Sequence, residues 1–263
     1  MSEDVKKPVW ARRLSLLALA LSLGGVGAAL VAAVGTGTGA WTYGAGLGAL
    51  RYALVAAVTG GVLAMVAWVV ARRSGTSLGW ANGLALLTAV LFTAYLGNMI
   101  FTARSMPAIH DVATDLDDLP QFRRLTVRAD NLDKIPDEGR PELAAMSPGE
   151  RWKALHRRAY GDLQPLKLAV PPAQALQAAE QLARQRNWAI AAVDPGTGTL
   201  EATATTLFFR FKDDVVVRVR ADPQASGGSI VDMRSISRVG VSDIGVNARR
   251  IRQFLADLQD AAR

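Results

Sequence analysis

The sequence predicts an α+β protein: three transmembrane helices followed by a mostly antiparallel sheet with two helices packed on one face. Three observations predict it. Charge is segregated, since no Asp, Glu, Lys or Arg occurs in 14–50, 52–71 or 74–103, whereas beyond Arg104 charges recur every few residues. Several short runs of the second half alternate apolar and polar residues at a period of two. Two other runs there carry apolar residues at helical spacing.

The spans come first. A membrane-crossing helix needs about 20 predominantly apolar residues, and 14–35, 50–71 and 78–102 qualify. The uncharged run of the first is longer than the roughly 7–15 residues of a signal-peptide core, and two more spans follow it, so it reads as a retained helix. Lys and Arg near span ends set orientation. Lys6, Lys7, Arg12 and Arg13 precede the first span, the loop 34–48 has none, and Arg72 and Arg73 follow the second. This alternation predicts a cytoplasmic basic tail (1–13), a three-helix membrane region (14–103) and an extracytoplasmic remainder. In a Gram-negative bacterium that means the inner membrane with a periplasmic domain. Arg51 sits where it can snorkel to headgroups, and Trp10, Trp41, Trp68 and Trp80 fall near the predicted interfaces. No acid, base or histidine falls mid-membrane, so the spans lack the signature of a proton relay or ion-coupled transporter. Asn82, Asn98 and Gly60–Gly61 read as helix–helix packing features.

Composition removes further classes. The chain has 263 residues and a net charge of +7, but residues 1–103 carry seven Lys/Arg and two Asp/Glu. The remainder is only +2. A nucleic-acid binder concentrates its positive charge on the soluble domain, so nucleic acid is not an expected partner. There are no cysteines, which excludes disulfides and thiolate chemistry.

Residues 104–165 read as an irregular linker segment with one short helix, begun at Ser147-Pro-Gly-Glu150 by a Ser cap, a Pro at the first position and a Glu three residues on. The α+β domain proper is expected over 166–263. Leu166, Leu168 and Val170 alternate as a strand. Pro171-Pro172 opens a helix to about Arg186. Trp188–Val193 is a strand, and Asp194-Pro-Gly-Thr-Gly198 a turn. Thr199–Phe211 and Val215–Ala221 form a hairpin around Lys212-Asp213, with Asp213 and Asp214 in its turn. Ser229–Val239 is another strand. A last helix over about 246–261 buries Ile251, Phe254, Leu255 and Leu258, with Ser242 or Asp243 as its cap.

Strand alternation sorts the side chains. Val215, Val217, Val219, Val231 and Met233 face the core. Arg218, Arg220, Asp232, Arg234 and Arg238 face away, with Glu201, Thr203 and Thr205 on the neighbouring strand. Paired antiparallel, these would form a cross-strand Glu/Arg/Asp ladder. Two readings stand: a solvated face with compensating charges, or a surface that recognises an anion through arginine forks.

The runs Asp232-Met-Arg-Ser-Ile-Ser-Arg-Val-Gly-Val-Ser-Asp-Ile-Gly-Val-Asn-Ala-Arg-Arg-Ile251, Glu201-Ala-Thr-Ala-Thr-Thr206, Arg210-Phe-Lys-Asp-Asp-Val-Val-Val-Arg-Val-Arg220 and Ile109-His-Asp-Val-Ala-Thr-Asp115 closely resemble the family catalogued as domain of unknown function 1499. The resemblance covers about 104–260. It implies a bacterial or chloroplast-related protein, often near a membrane, and brings no assigned chemistry.

The candidate binding set is Arg218, Arg220, Asp232, Arg234, Ser235, Ser237, Arg238, Ser242, Asp243, Asn247 and Arg250. The start of the last helix beside the Ser/Arg strand is a suitable place for an anion, and Asn247 and Arg250 lie one helical turn apart. The function expected is a membrane-anchored extracytoplasmic binding or assembly module for an anionic lipid, polymer or protein partner. One alternative is an envelope hydrolase or lipid-modifying enzyme in which His110 and Asp111 form a base and its orienting carboxylate, with Asp243 nearby. No Gly-x-Ser-x-Gly elbow or His-Glu-x-x-His motif supports it, and His156 sits on a basic helical stretch that reads as solvated. Another alternative is an accessory subunit of a membrane complex. No cofactor or metal is expected.

Overall fold

The computed structural model describes residues 9–74, 78–133 and 135–262. Lys6 and Lys7 of the basic tail lie outside the described residues. The chain divides into two units, residues 1–101 with 207–210, and residues 102–206 with 211–263.

The first unit contains α1 (Val9–Gly37), α2 (Tyr43–Ser74) and all but the last turn of α3 (Gly79–Ser105). All three are long and apolar enough to cross a membrane, and each runs past the roughly 20 residues a hydrocarbon core requires. Their interior is built from small residues: Ala18, Ala57, Ala64 and Ala85 are fully buried, while Leu, Val and Trp side chains point outward. A Cβ on Gly60 would meet the Ser22 amide nitrogen at 2.5 Å and the Ala18 carbonyl at 2.7 Å, so the missing side chain lets α1 and α2 touch backbone to backbone. At the α1–α2 turn, the Trp41 indole donates to the Ala32 carbonyl at 3.0 Å. Asn82 is buried, and its amide has no hydrogen-bond partner among the described residues.

The second unit is an antiparallel sheet with helices. It comprises β1 (Asp111–Ala113), α4 (Pro141–Ala144), α5 (Pro148–Tyr160), β2 (Leu166–Leu168), α6 (Pro172–Gln185), β3 (Ala189–Asp194), β4 (Thr199–Thr205), β5 (Lys212–Ala221), β6 (Ser229–Ser237) and α7 (Val246–Ala261). The strands run β1-β6-β5-β4-β3, and β2 pairs with β6 beyond β1 on the same edge. The amphipathic helices α6 and α7 bury Leu176, Ala179, Ile251, Phe254 and Leu258 against Val215, Val217, Val231 and Met233. Gly198 closes the β3–β4 turn at φ 66°, where a Cβ would lie 2.2 Å from the Val219 carbonyl; only glycine fits there. The α5 start is a capping box, with the Glu150 amide on the Ser147 hydroxyl and the Glu150 carboxylate on the Ser147 amide.

Three expectations need correction. The segment read as an irregular linker holds β1 and α4 besides the short helix. β1 escapes a periodicity reading because three residues are too few to show alternation. The β4–β5 turn spans 206–211, closed by the Thr206 amide on the Phe211 carbonyl at 2.9 Å. The apolar Leu207-Phe208-Phe209 imitates a continuing strand, but the last register pair is Thr205 with Lys212. Asp213 and Asp214 therefore lie inside β5, buried, rather than in the turn. Finally, Gly245, at φ 74°, occupies the cap position of α7.

Candidate functional site

The polar face of the sheet is covered. Register places Arg218 opposite Asp232, and Val216 between Glu201 and Arg234. The segment around 118–125 lies over this face. Arg218 donates to the Asp118 carbonyl at 2.8 Å and Arg234 to the Pro120 carbonyl at 3.3 Å. Glu201, 2% exposed, is clamped by three successive backbone amides: Arg123 and Leu125 at 2.7 Å each and Arg124 at 3.0 Å. Around Glu201, Asp232 and Arg234 the ladder is thus the inside of a second layer, while Arg220 and Arg238, their side chains 42% exposed, lie at its margins.

Each arginine of the ladder has an internal carboxylate. Arg234 grips Asp111 through two parallel bonds of 3.0 and 2.7 Å, and Asn131 donates to the same carboxylate at 2.6 Å. Arg218 and Arg220 converge on Asp232 at 2.9 and 2.8 Å, and the other oxygen of that buried carboxylate has no partner. Arg238 forks onto Asp214 at 2.9 and 2.8 Å, and the Thr203 hydroxyl donates to Asp214 at 2.8 Å. Such pairs satisfy charge that burial would otherwise penalise heavily.

The other polar set lies on the opposite, helix-covered face. Asn247 and Arg250 both reach Ser235 from α7. Arg250 also pairs with Asp213 at 2.5 Å. The Asn247 amide donates to Ser237 at 3.0 Å and to the His110 carbonyl at 2.9 Å. The start of α7 carries its own anion: the Asp243 carboxylate accepts from the Gly245 amide at 3.0 Å and the Asn247 amide at 2.6 Å. Burial pushes the Asp243 pKa up, against those two amides. Ser242 accepts from the Ile244 amide at 3.2 Å. The eleven binding candidates are therefore split between two sheet faces and engaged with other groups of the domain.

His110 and Asp111 do not form a dyad. The Asp111 carboxylate is turned to Arg234, and the His110 Nδ1 lies 3.2 Å from the Val241 carbonyl. His110 Nε2 is buried without a partner. No group of three or more His, Asp or Glu suited to a metal ion occurs among the described residues.

An open cavity of about 260 Å³ lies elsewhere, lined by 114–117 after β1, by His156, Arg157 and Tyr160 of α5, and by Gly161 and 163–165. His156 is 2% exposed rather than solvated. Its ring sits edge-on between Trp152 and Tyr160, with centroids 5.7 and 5.5 Å away. Its Nε2 accepts from the Ala113 amide at 3.2 Å, so the ring proton is on Nδ1, which has no partner. Burial pushes its pKa down to about 4, outweighing the nearby Asp111 charge. Burial likewise raises the Tyr160 pKa. Lys153 and Arg157 meet the exposed Asp117 at 3.0 and 3.3 Å. At the rim, Arg220 lies 4.0 Å from Asp115 and 3.5 Å from the exposed Asp118. The spacing of Trp152, His156 and Tyr160, four residues apart each time, was the signal for a buried histidine.

Residues 111–258 match the family model described as protein of unknown function (DUF1499). No curated protein matches the chain.

Proposed function

The chain belongs to this family of unknown function, DUF1499, and we propose that it is a membrane-anchored binding or assembly module whose sheet domain lies outside the cytoplasm. In this reading it recognises a carboxylate or phosphate group of a lipid, polymer or protein partner. The recognition site is the cavity beside α5, not the arginine ladder.

The observation that carries the reading is the contrast in how cations are held. Arg234 and Arg250 are buried on buried carboxylates, and an incoming anion would have to unmake the core to reach them. Lys153 and Arg157 are held at the cavity by Asp117, which is well exposed. Exposed pairs are weak and exchangeable. A ligand anion takes the place of Asp117 without disturbing the fold, and the ring of His156 forms part of the cavity lining. The placement outside the cytoplasm, with the N-terminus inside and a bacterial inner membrane as the site, rests on Arg12, Arg13, Arg72 and Arg73 against the uncharged α1–α2 turn.

Purification of the full-length protein in mild detergent, followed by mass spectrometry of what accompanies it, tests the reading. A stoichiometric anionic lipid, polymer or protein that is lost in Lys153→Ala/Arg157→Ala is expected. Retention of the companion in that variant, or a partner-free wild type, counts against it. Because the chain has no cysteine, single-Cys variants report orientation. An impermeant maleimide added to intact spheroplasts should label Ser226→Cys and spare Arg73→Cys; the opposite pattern overturns the placement.

A further inference from the structure

Beyond α3, the large apolar side chains left exposed among the described residues are Leu207 at 80%, Phe208 at 54% and Val241 at 53%. They gather at one end of the sheet. Leu207 and Phe208 lie in the turn that follows the last β4–β5 register pair, Thr205 with Lys212. The chain leaving β6 stays beside that turn, since the Arg238 amide donates to the Lys212 carbonyl at 3.0 Å, and it then reaches Val241. The same end receives the chain from the membrane helices. β1 begins at Asp111 opposite Ile236, and the Ser237 amide donates to the His110 carbonyl at 3.0 Å. Only Met106 to His110, five residues, separate the end of α3 from the start of β1. The opposite end, at the β5–β6 turn, exposes Pro223, Gln224, Ala225 and Ser226 instead.

We propose that this end of the domain is a lipid-contact face, in which Leu207 and Phe208 insert into the headgroup–acyl boundary of the bilayer that the helices of this chain span. Clustered exposed apolar groups on a protein surface mark a contact site, and the five-residue tether enters the sheet at this same end. The exposed Arg210 and Lys212 follow the apolar pair, and basic groups beside apolar ones favour an interface of apolar tails under anionic headgroups. The turn needs no rearrangement to insert, because its backbone is already closed by the Thr206–Phe211 pair. The inference is independent of the cavity beside α5.

The test uses full-length protein in vesicles of phosphatidylcholine and phosphatidylglycerol, with a nitroxide on Leu207→Cys, Phe208→Cys or, as reference, Ser226→Cys. All three positions are exposed, so the label does not challenge folding. Collision with oxygen, which concentrates in lipid, is compared with collision with a water-soluble nickel chelate. The expected result is a clear preference for oxygen at 207 and 208, and for nickel at 226. A ratio at 207 and 208 equal to that at 226 overturns the proposal. So does protection from both reagents, which would place the turn against protein.

Discussion

The two units of this chain bury opposite kinds of residue. Among α1, α2 and α3 the inside is Ala, Gly and Ser, with Ala57, Ala64 and Ser22 fully enclosed, while Leu, Val and Trp face out. In the sheet domain the inside holds Trp152, Phe254 and Met233 together with Asp111, Glu201, Asp232 and Arg234. The difference follows from the solvent. Lipid is as apolar as leucine, so burying leucine between helices gains little, and closeness of approach selects the interior. Water drives large apolar groups inward, and any charge that goes with them must be paired. One chain thus follows two rules, and substitutions can be chosen to violate each in turn.

The largest expected effect comes from breaking a buried pair. Arg234→Ala strands the Asp111 carboxylate beneath the covering segment, and a loss of about 3–5 kcal/mol is expected, read as a lower urea midpoint for the domain in detergent. The double replacement Asp111→Leu/Arg234→Met removes both charges and should recover most of that loss. If the double variant is no more stable than the single one, the pair does more than neutralise itself.

His156 gives the next effect, and its sign is fixed by its pKa. The folded value is about 4 against 6.5 for a free imidazole. The unfolded chain therefore takes up a proton between those values and the folded protein does not. The stability is fully present above pH 6.5, falls as the pH drops towards 4, and is flat below that. The window corresponds to about 3 kcal/mol. His156→Gln keeps an acceptor for the Ala113 amide and cannot titrate, so its urea midpoint should fall less steeply than wild type between pH 6.5 and 4.

These two sites mark where the sequence was legible and where it was not. Alternation assigned Arg218, Asp232 and Arg234 to one face and Val217 and Met233 to the other, because the side-chain period of a strand is fixed by its backbone. It could not say that the polar face was covered, because the covering residues 118–125 have no period of their own and are held through backbone groups: three amides on Glu201 and two carbonyls on arginines. The same limit displaced Asp213 and Asp214 into a turn, since Leu207-Phe208-Phe209 carries strand-like residues and only register shows that pairing has stopped. The helices were easier: caps and apolar stripes are local, and Ser147 and Pro172 mark their starts in the chain itself. The basic neighbours Arg157 and Arg158 suggest a solvated His156, whereas the Trp–His–Tyr stripe marks it as buried.

In the membrane unit the matching violation is a side chain where none fits. Gly60→Val places a Cβ within 2.5 Å of the Ser22 amide nitrogen, and α1 and α2 must part. Overpacking of this kind costs about 1–3 kcal/mol, and a lower melting temperature in detergent measures it. Gly83→Val, on α3, is the control, since nothing lies within 4 Å of its Cβ position; it should melt as wild type does.

The smallest expected effect sharpens the comparison most, because it holds chemistry constant and changes only the surroundings. Arg184 and Glu180 form an i,i+4 pair on α6 at 2.6 Å, with the Arg184 side chain 62% exposed. The Arg234–Asp111 pair, at 2.7 Å, is no closer, but its side chains are 7% and 1% exposed. Arg184→Ala removes a guanidinium from a carboxylate as Arg234→Ala does, yet Glu180, its side chain 29% exposed, keeps access to water. The expected loss is about 0.3–0.5 kcal/mol, near the limit of a urea midpoint, and added salt should shrink it further. Were the two arginines to cost the same, distance rather than burial would set the strength of these pairs. The distinction between the core arginines and the exchangeable ones around the α5 cavity would then have no physical basis.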